Sequence, residues 1–326
     1  MKFLIIRLSS LGDIILTQPV VAELESRYPG AEIHYVCKPQ FAELPAMMGR
    51  NVTAIPYRKS LQWHLKLRET EYHAVLDLHA KAASIIITML CKSLRKARYN
   101  KRRRLRKSIV NHTSPASIRS TVDLYYSALR KLFNTSSESM RDPRLFVPAD
   151  PGLRASVALP EHKSLLGIFP GAAHTTKKYP TDQWIEVIRL LSDTFHILLM
   201  GSQEDARDAS AISSVNPEGI LDLCGKLNLT QLAATMQRCD LILSGDTGPM
   251  HLAAALGIKQ VAIFGATHPR LGFAPLNTNA IVLSADLQCQ PCSLHGSERC
   301  PQGHFNCMRS ITPEKIAQAT MRLIQP

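Results

Sequence analysis

The sequence predicts an α/β fold of two doubly wound domains, each with a mostly parallel sheet. Three observations predict it. Strand-like apolar runs alternate with helix-like segments through both halves of the 326 residues, as βαβ units require. Each half has a strand that ends in a glycine turn and feeds a helix. Between them, residues 143–160 hold four prolines and a glycine among polar residues, the composition of an interdomain linker. The length suffices for domains over 1–150 and 151–326. Two such domains facing each other make an interdomain cleft, a common ligand site.

In the first half, Phe3-Leu4-Ile5-Ile6 reads as the opening strand. The turn Arg7-Leu8-Ser9-Ser10-Leu11-Gly12-Asp13 follows, then a helix to Arg27, stopped by Pro29-Gly30. Asp13 thus sits at a helix start beyond the carboxyl end of a strand, where open α/β sheets bind ligands. The plainer reading makes it an N-cap. A dinucleotide fingerprint is absent, since no G-x-G-x-x-G occurs there. Further along, 33–37 and 53–57 read as strands, 39–48 and 61–70 as helices, and 74–78 as a buried strand. An apolar helix is expected over 80–94 and an amphipathic one over 122–133. Leu145-Phe146-Val147 suggests a short strand inside the linker.

The second half opens with a strand over 165–169 and continues with a helix over 181–194, a strand over 195–200 and a helix over 229–237. Strands over 241–243 and 261–264 and a closing helix over 312–324 complete it. The stretch Ser244-Gly245-Asp246-Thr247-Gly248-Pro249-Met250-His251 is a strand end, a tight turn and a helix start. Gly245 and Gly248 permit the turn, Pro249 fits the first helical turn, and Gly257 is a natural stop. Exposed N–H groups at such a start attract phosphate. An ordinary strand–turn–helix with a capping Asp fits the same residues.

Charge is unevenly spread. Residues 1–150 hold 25 Lys/Arg against 12 Asp/Glu, whereas 151–326 hold 14 of each. Ten of the sixteen residues from Lys92 to Lys107 are basic. Such a run suits an anionic glycan or lipid surface, or is a solvated face. Nucleic acid is disfavoured because Tyr99 is its only aromatic and no zinc-finger or helix-turn-helix pattern accompanies it. No apolar run reaches the roughly 18–20 residues of a membrane span, and no signal-peptide pattern opens the chain. Cys37, Cys91, Cys224 and Cys239 lie in apolar segments, as reduced core thiols do. A cytoplasmic location is expected. The tail carries Cys289, Cys292, Cys300 and Cys307. Four thiols with one C-x2-C pair can hold zinc or iron. A plain reduced loop or redox-labile thiols are the alternatives.

Together these segments resemble glycosyltransferase family 9, the ADP-heptose:lipopolysaccharide heptosyltransferases. The carriers are RLSSLGDIILTQPV, FPGAAHTTKKYPTDQW (169–184), SGDTGPMHLAAALG, VAIFGATHP (261–269) and CQPCSLHGSERCPQGHFNCM (289–308), in that order along the chain. The resemblance implies a GT-B fold of two Rossmann-like domains, the first binding acceptor and the second nucleotide sugar. It implies an inverting transfer of heptose from ADP-heptose to a lipopolysaccharide core, by an enzyme peripheral to the inner face of the inner membrane. Asp13 is then the general base. Lys177, Glu204, Asp246, Thr247, Gly248 and His251 are donor-side candidates. Ser9 and Ser10, with Arg102, Arg103, Arg104 and Arg106, are the acceptor-side ones. No cofactor is required for the chemistry, and any zinc or iron on the tail cysteines is structural. Simpler roles fit two of these positions: Glu204 also suits a helix start, and Lys178 reads as solvent-facing. Members often have Asp where this chain has His268, which leaves room for another nucleotide sugar. A non-catalytic polyanion binder is the remaining alternative from a different class.

Overall fold

In a computed structural model that describes residues 1–133, 141–149 and 163–325, the chain forms two compact units. One comprises Met1–Arg103 with Ser120–Pro148, the other Arg104–Arg119 with Ala149–Pro326. The expected boundary at 150/151 and the linker residues 150–160 lie outside the described residues. Residues 143–149 form no strand. Phe146 N instead makes a single backbone hydrogen bond to Met47 O, 2.8 Å.

The first unit is built on β1 (Lys2–Ile6), β2 (Glu32–Cys37), β3 (Val52–Pro56), β4 (Ala74–Asp77) and β5 (Lys96–Arg98), in the order β3-β2-β1-β4-β5. All pairs are parallel. β1, β2 and β4 read as apolar runs because both sheet faces are covered. Strand order reverses between β1 and β4. At such a switch point the connections leave to opposite faces and open a crevice at the strands' carboxyl ends.

Its helices are α1 (Leu11–Ile15), α2 (Gln18–Arg27), α3 (Leu61–Glu69), α4 (Ala82–Leu90) and, after α5 (Arg103–Val110), α6 (Thr121–Phe133). One sheet face packs Leu4, Ile6, Val36 and Val75 against Leu67 of α3 and Ile87 of α4. The single helix expected up to Arg27 is divided into α1 and α2. Thr17 caps α2 and Pro19 lies in its first turn, where a missing N–H costs nothing but cannot extend α1. The expected helix over 39–48 is two one-turn 3-10 pieces, Pro39–Phe41 and Pro45–Met47, each opened by its proline. The expected helix over 80–94 shortens to α4, and the basic stretch after it contains β5. Only Ala97 of that strand faces inward, so no apolar run betrays it.

The second unit carries β6 (Ser164–Phe169), β7 (Phe195–Leu199), β8 (Ile220–Asp222), β9 (Leu241–Gly245), β10 (Lys259–Phe264) and β11 (Ala280–Ser284). Their order is β11-β10-β9-β6-β7-β8, again all parallel, with the reversal between β6 and β9. Its helices are α7 (Thr181–Leu191), α8 (Ala206–Ser213), α9 (Leu229–Met236), α10 (Gly248–Ala255), α11 (Asn306–Arg309) and α12 (Pro313–Ile324). Trp184 of α7 is buried in a core with Phe195, Ile197, Leu243 and Ile316. Truncating such a side chain to alanine costs about 3–5 kcal/mol.

The basic run departs from expectation. Its last four residues, Arg104 to Lys107, fall in the second unit and lie on α5. Arg106 and Ile109 form the buried side of α5. The Arg106 guanidinium lies 4.8 Å from the Phe273 ring centroid and donates to Leu271 O at 3.5 Å. Arg270 Nη2 then ties the following loop by donating to Ser114 O and Ala116 O, 3.1 Å each.

Candidate functional site

In each unit, several of the residues singled out from the sequence (Ser9, Ser10 and Asp13; Lys177, Asp246 and Thr247) follow the strands flanking the switch point. In the first unit, β1 delivers Arg7 and then Asp13 through the Ser9–Gly12 turn. Asp13 is the third residue of α1, and Ser10 and Asp13 cap one another there. Ser10 Oγ donates to Asp13 Oδ2 at 3.0 Å, Arg7 Nη2 lies 2.5 Å from the same oxygen, and Tyr125 Oη donates to Oδ1 at 3.1 Å. Burial alone raises the Asp13 pKa. The Arg7 charge and the Ser10 hydrogen bonds outweigh it and hold the carboxylate well below its usual range. The N-cap of α1 is therefore Ser10, and Asp13 stands three residues on, facing back to it.

Arg7 is itself fixed. Its Nη1 donates to Leu78 O at 2.8 Å, and its guanidinium lies 5.5 Å from the Tyr125 ring centroid. Tyr125 packs on Tyr99 at 4.9 Å. From β4, Asp77 accepts the His79 and Ala80 N–H groups at 3.1 and 2.7 Å, and the Arg98 Nε–H at 2.9 Å. His79 is buried and its Nδ1 has no hydrogen-bond partner among the described residues. Burial first, then the charges of Arg7, Lys81 and Lys101, push its pKa down to about 4. Lys101 is lowered to about 8 by burial, Arg7 and Arg103. The carboxyl end of this sheet is thus a region rich in cations, with Asp13 paired to Arg7 and Asp77 to Arg98. Ser9 is half-buried there, and Arg102, Arg103 and Arg104 are exposed. Arg106 is buried and falls in the other unit, so it does not lie on a solvated face. A cavity of about 740 Å³ in the first unit, bordered by Gln18, Glu25, Arg50 and Arg144, contains none of these residues.

In the second unit, the loop after β6 meets the loop after β9. Lys177 Nζ lies 2.9 Å from Asp246 Oδ2, and Thr267 Oγ1 donates to the same oxygen at 2.7 Å. A Cβ at Gly245 would stand 3.0 Å from the Lys177 carbonyl oxygen, so glycine lets the two loops approach closely. Thr247 caps α10, Gly248 is its first residue, and His251 is buried one turn in. The N–H groups at that helix start stand near the Lys177 ammonium, an arrangement whose chemistry suits an anion. Glu204 is exposed, whereas its neighbour Asp205 is buried. Asp205 Oδ2 accepts the Ser202 N–H and Oγ–H at 2.9 and 2.8 Å. Lys178 does not simply face solvent, since its Nζ lies 3.5 Å from Asp208 and 3.9 Å from Asp205. His268 caps a short turn by accepting Arg270 N–H at Nδ1, 3.1 Å, and pairs through Nε2 with Asp286, also 3.1 Å.

The Cys-rich tail packs directly on this loop cluster. Thr176 N donates to Ser297 O at 3.0 Å and Ser297 N returns a bond to Thr176 Oγ1 at 2.8 Å. Gly296, at φ +93°, packs against Lys177, where an added Cβ would meet Cδ at 2.9 Å. Gln290 Nε2 donates to Gly265 O at 2.6 Å and to Thr267 O at 3.1 Å. The tail therefore holds both the Lys177 turn and the residue that bonds Asp246. Cys307 is buried; burial, then the neighbouring Cys292, Cys300 and Cys289, push its thiol up to about 12. Among the described residues, no three His, Cys, Asp or Glu side chains are gathered to hold a metal ion as they stand.

Arg7, Tyr125, His79, Asp205 and Gln290 were not singled out from the sequence. Ser202-x-x-Asp205 is a visible capping box, which is the signal for Asp205. Arg7 and His79 stand just past strands, and the signal for them is strand order, which needs the fold.

A family model described as glycosyltransferase family 9 (heptosyltransferase) matches residues 61–301. The chain is 32% identical over 168 residues to lipooligosaccharide heptosyltransferase 2 of Campylobacter jejuni, a match covering 50% of this chain and 52% of that one. In that match it thus spans about half the length of the relative. The E. coli ADP-heptose LPS heptosyltransferase II structure superposes with a TM-score of 0.79 at 23% identity, over 99% of this chain and 98% of the other. E. coli heptosyltransferase WaaC with ADP does so at 0.73 and 20%, over 99% and 100%. These likenesses show that the fold is GT-B.

Proposed function

The chain belongs to glycosyltransferase family 9, and on that premise we propose that it moves a heptose from ADP-heptose to a lipopolysaccharide core acceptor, with inversion. The observation that carries this reading is the pair of loop clusters at the two switch points, one presenting an ionised carboxylate and the other an anion site. ADP is bound by a solved structure of the same fold. The Lys177 ammonium and the α10 N–H groups suit its diphosphate. In the transfer, the acceptor oxygen bonds the anomeric carbon as the carbon–phosphate oxygen bond breaks. ADP leaves with that electron pair. The acceptor proton passes to Asp13 Oδ1, which keeps a lone pair beside its bond from Tyr125.

A carboxylate held this far below its usual range is a weak base. It serves because the acceptor oxygen becomes strongly acidic as its bond to carbon forms, so proton transfer comes late. The Arg7–Asp13 pair keeps the carboxylate charged and oriented until that proton arrives. The positive region formed by Arg7, Lys81, Lys101 and Arg103 suits an acceptor that carries carboxylate or phosphate. We place the enzyme at the inner face of the inner membrane, where such a glycolipid is built. No helix of the described residues is long and apolar enough to cross a membrane.

A second reading, the same chemistry with another nucleotide sugar, is favoured by one observation. His268 replaces the usual Asp beside Thr267 and is committed to Asp286. A screen of ADP-, UDP- and GDP-sugars with core-truncated lipopolysaccharide, read by product mass, tests both. Heptosylated product from ADP-heptose alone supports the first reading. Product from another donor only supports the second, and tight polyanion binding without any product would leave neither.

A further inference from the structure

Helix α4 buries Ile87 against the sheet yet turns a second apolar stripe outward. Its sequence is Ala82-Ala-Ser-Ile-Ile-Ile-Thr-Met-Leu90, and it buries Ser84 and Thr88 while Ile86 is 51%, Met89 72% and Leu90 40% exposed. The two polar residues are satisfied locally, Ser84 Oγ by donating to Lys81 O at 2.9 Å and Thr88 Oγ1 by donating to Ser84 O at 2.7 Å. The apolar ones stand at i, i+3 and i+4, one stripe on the outer face. Leu94, just beyond the helix, is fully exposed. Helix α3 repeats the arrangement, with Leu61 73% and Leu65 52% exposed one turn apart. Both helices cover the same face of the first sheet, since Leu67 and Ile87 share one core cluster with Leu4, Ile6, Val36 and Val75. Their outer sides therefore look to solvent on the same side of the unit. Water-exposed apolar side chains in such a contiguous group mark an interaction surface.

The charge around the stripe says what covers it. Arg58, Lys59, Lys66, Arg68, Lys92 and Lys96 are exposed in these segments, against Glu69 and Glu71. Lys96 Nζ lies on the patch itself, donating to Met89 O at 3.3 Å. Two copies meeting here would bring these cations together, which disfavours self-association. We propose that the α3–α4 face docks the protein on an anionic lipid bilayer, its apolar side chains entering the headgroup layer and its lysines and arginines meeting lipid phosphates. The contact takes in Lys92 and Lys96 at the start of the basic run but none of its residues from Lys101 to Lys107, and no residue given a role in the chemistry. It supplies the membrane contact that the glycolipid reading calls for, and it is tested with lipid alone, so that its failure would not touch that reading.

The experiment is sedimentation of the full chain with phosphatidylglycerol-containing vesicles and with phosphatidylcholine vesicles, at about 0.1 M and about 1 M salt. The parent is expected to pellet with the anionic vesicles, less so at high salt. Changing Leu61, Leu65, Met89 and Leu94 to Ser should cut binding roughly tenfold or more, with an unchanged melting temperature because these side chains are exposed. Leu94→Ser alone, at the fully exposed position, should show part of the loss if the fourfold variant folds poorly. Lys66→Glu, Lys92→Glu and Lys96→Glu together should remove the preference for anionic lipid. A parent that ignores both vesicles, or Ser variants that bind like the parent, would overturn the proposal. So would a parent that dimerises through these leucines and binds no vesicle.

Discussion

Lys177 Nζ and Asp246 Oδ2 stand 2.9 Å apart, both largely buried, and Thr267 supplies the same carboxylate with a second donor. A diphosphate entering at the α10 start would share the Lys177 ammonium with Asp246. Lys177→Ala should weaken ADP binding roughly 10–100-fold, the worth of a charge-assisted contact. It should also destabilise the second unit by about 3 kcal/mol, because Asp246 loses its cation while buried. Asp246→Asn and His251→Ala should each weaken binding too, whereas Glu204→Ala, at an exposed side chain, should do least. Calorimetry decides, and unchanged ADP affinity in Lys177→Ala would remove the anion site.

The tail should matter to donor binding without touching the donor. Gly296→Ala places a Cβ against Lys177 at a positive φ, and Gln290→Ala frees the loop that carries Thr267. Each is expected to raise the ADP dissociation constant several-fold, with less effect on turnover at saturating donor. Elemental analysis of the same preparations separates a structural zinc or iron on Cys289, Cys292, Cys300 and Cys307 from a plain reduced loop. Chelation should leave saturated turnover intact, since none of the residues assigned to the chemistry is a tail cysteine.

Acid sensitivity should trace to His79. Its folded pKa is about 4, against an ordinary value near 6.5. Between those values the unfolded chain binds the extra proton, so stability falls as pH drops through that window and is fully present above it. The effect is at most about 3 kcal/mol. Urea unfolding at both ends of the window should show it in the parent. His79→Gln should lose much less over the same range, and an equal loss would clear His79.

The exposed arginines and the buried one should separate. Changing Arg102, Arg103 and Arg104 to Ser should raise the acceptor KM while leaving ADP affinity and melting temperature near the parent's. Arg106→Ser removes the side chain stacked on Phe273 and should cost about 1–3 kcal/mol of stability. Steady-state kinetics and melts on the two variants test this. An acceptor KM unmoved by the triple change would make the run a solvated face.

Much of this was legible in the sequence where local chemistry repeats. Asp13 and Asp246 stand in glycine turns after apolar strands, and both turns lie at the sheets' switch points. The burial of Arg106 was not legible, because residue type and position in a run do not say which side faces inward. Arg106 sits three residues before Ile109 on the buried side of α5, and the ring that receives it is Phe273, far along the chain. Tyr125, which completes the Asp13 site from α6, is distant in the same way. The short strands β5, β8 and β11 carry too few buried apolar residues to show a period, and α4 hid its outward apolar face inside what reads as an ordinary buried helix.

The most direct test is transfer of heptose from ADP-heptose to core-truncated lipopolysaccharide by the parent and by Asp13→Asn. The variant keeps the shape at the Ser10 cap but removes the charge that Arg7 holds. Turnover should fall by roughly 10²–10⁴-fold, with ADP affinity unchanged because the donor loops belong to the other unit. Transfer by Asp13→Asn at near the parent's rate, or no heptose transfer by the parent at all, would contradict the account.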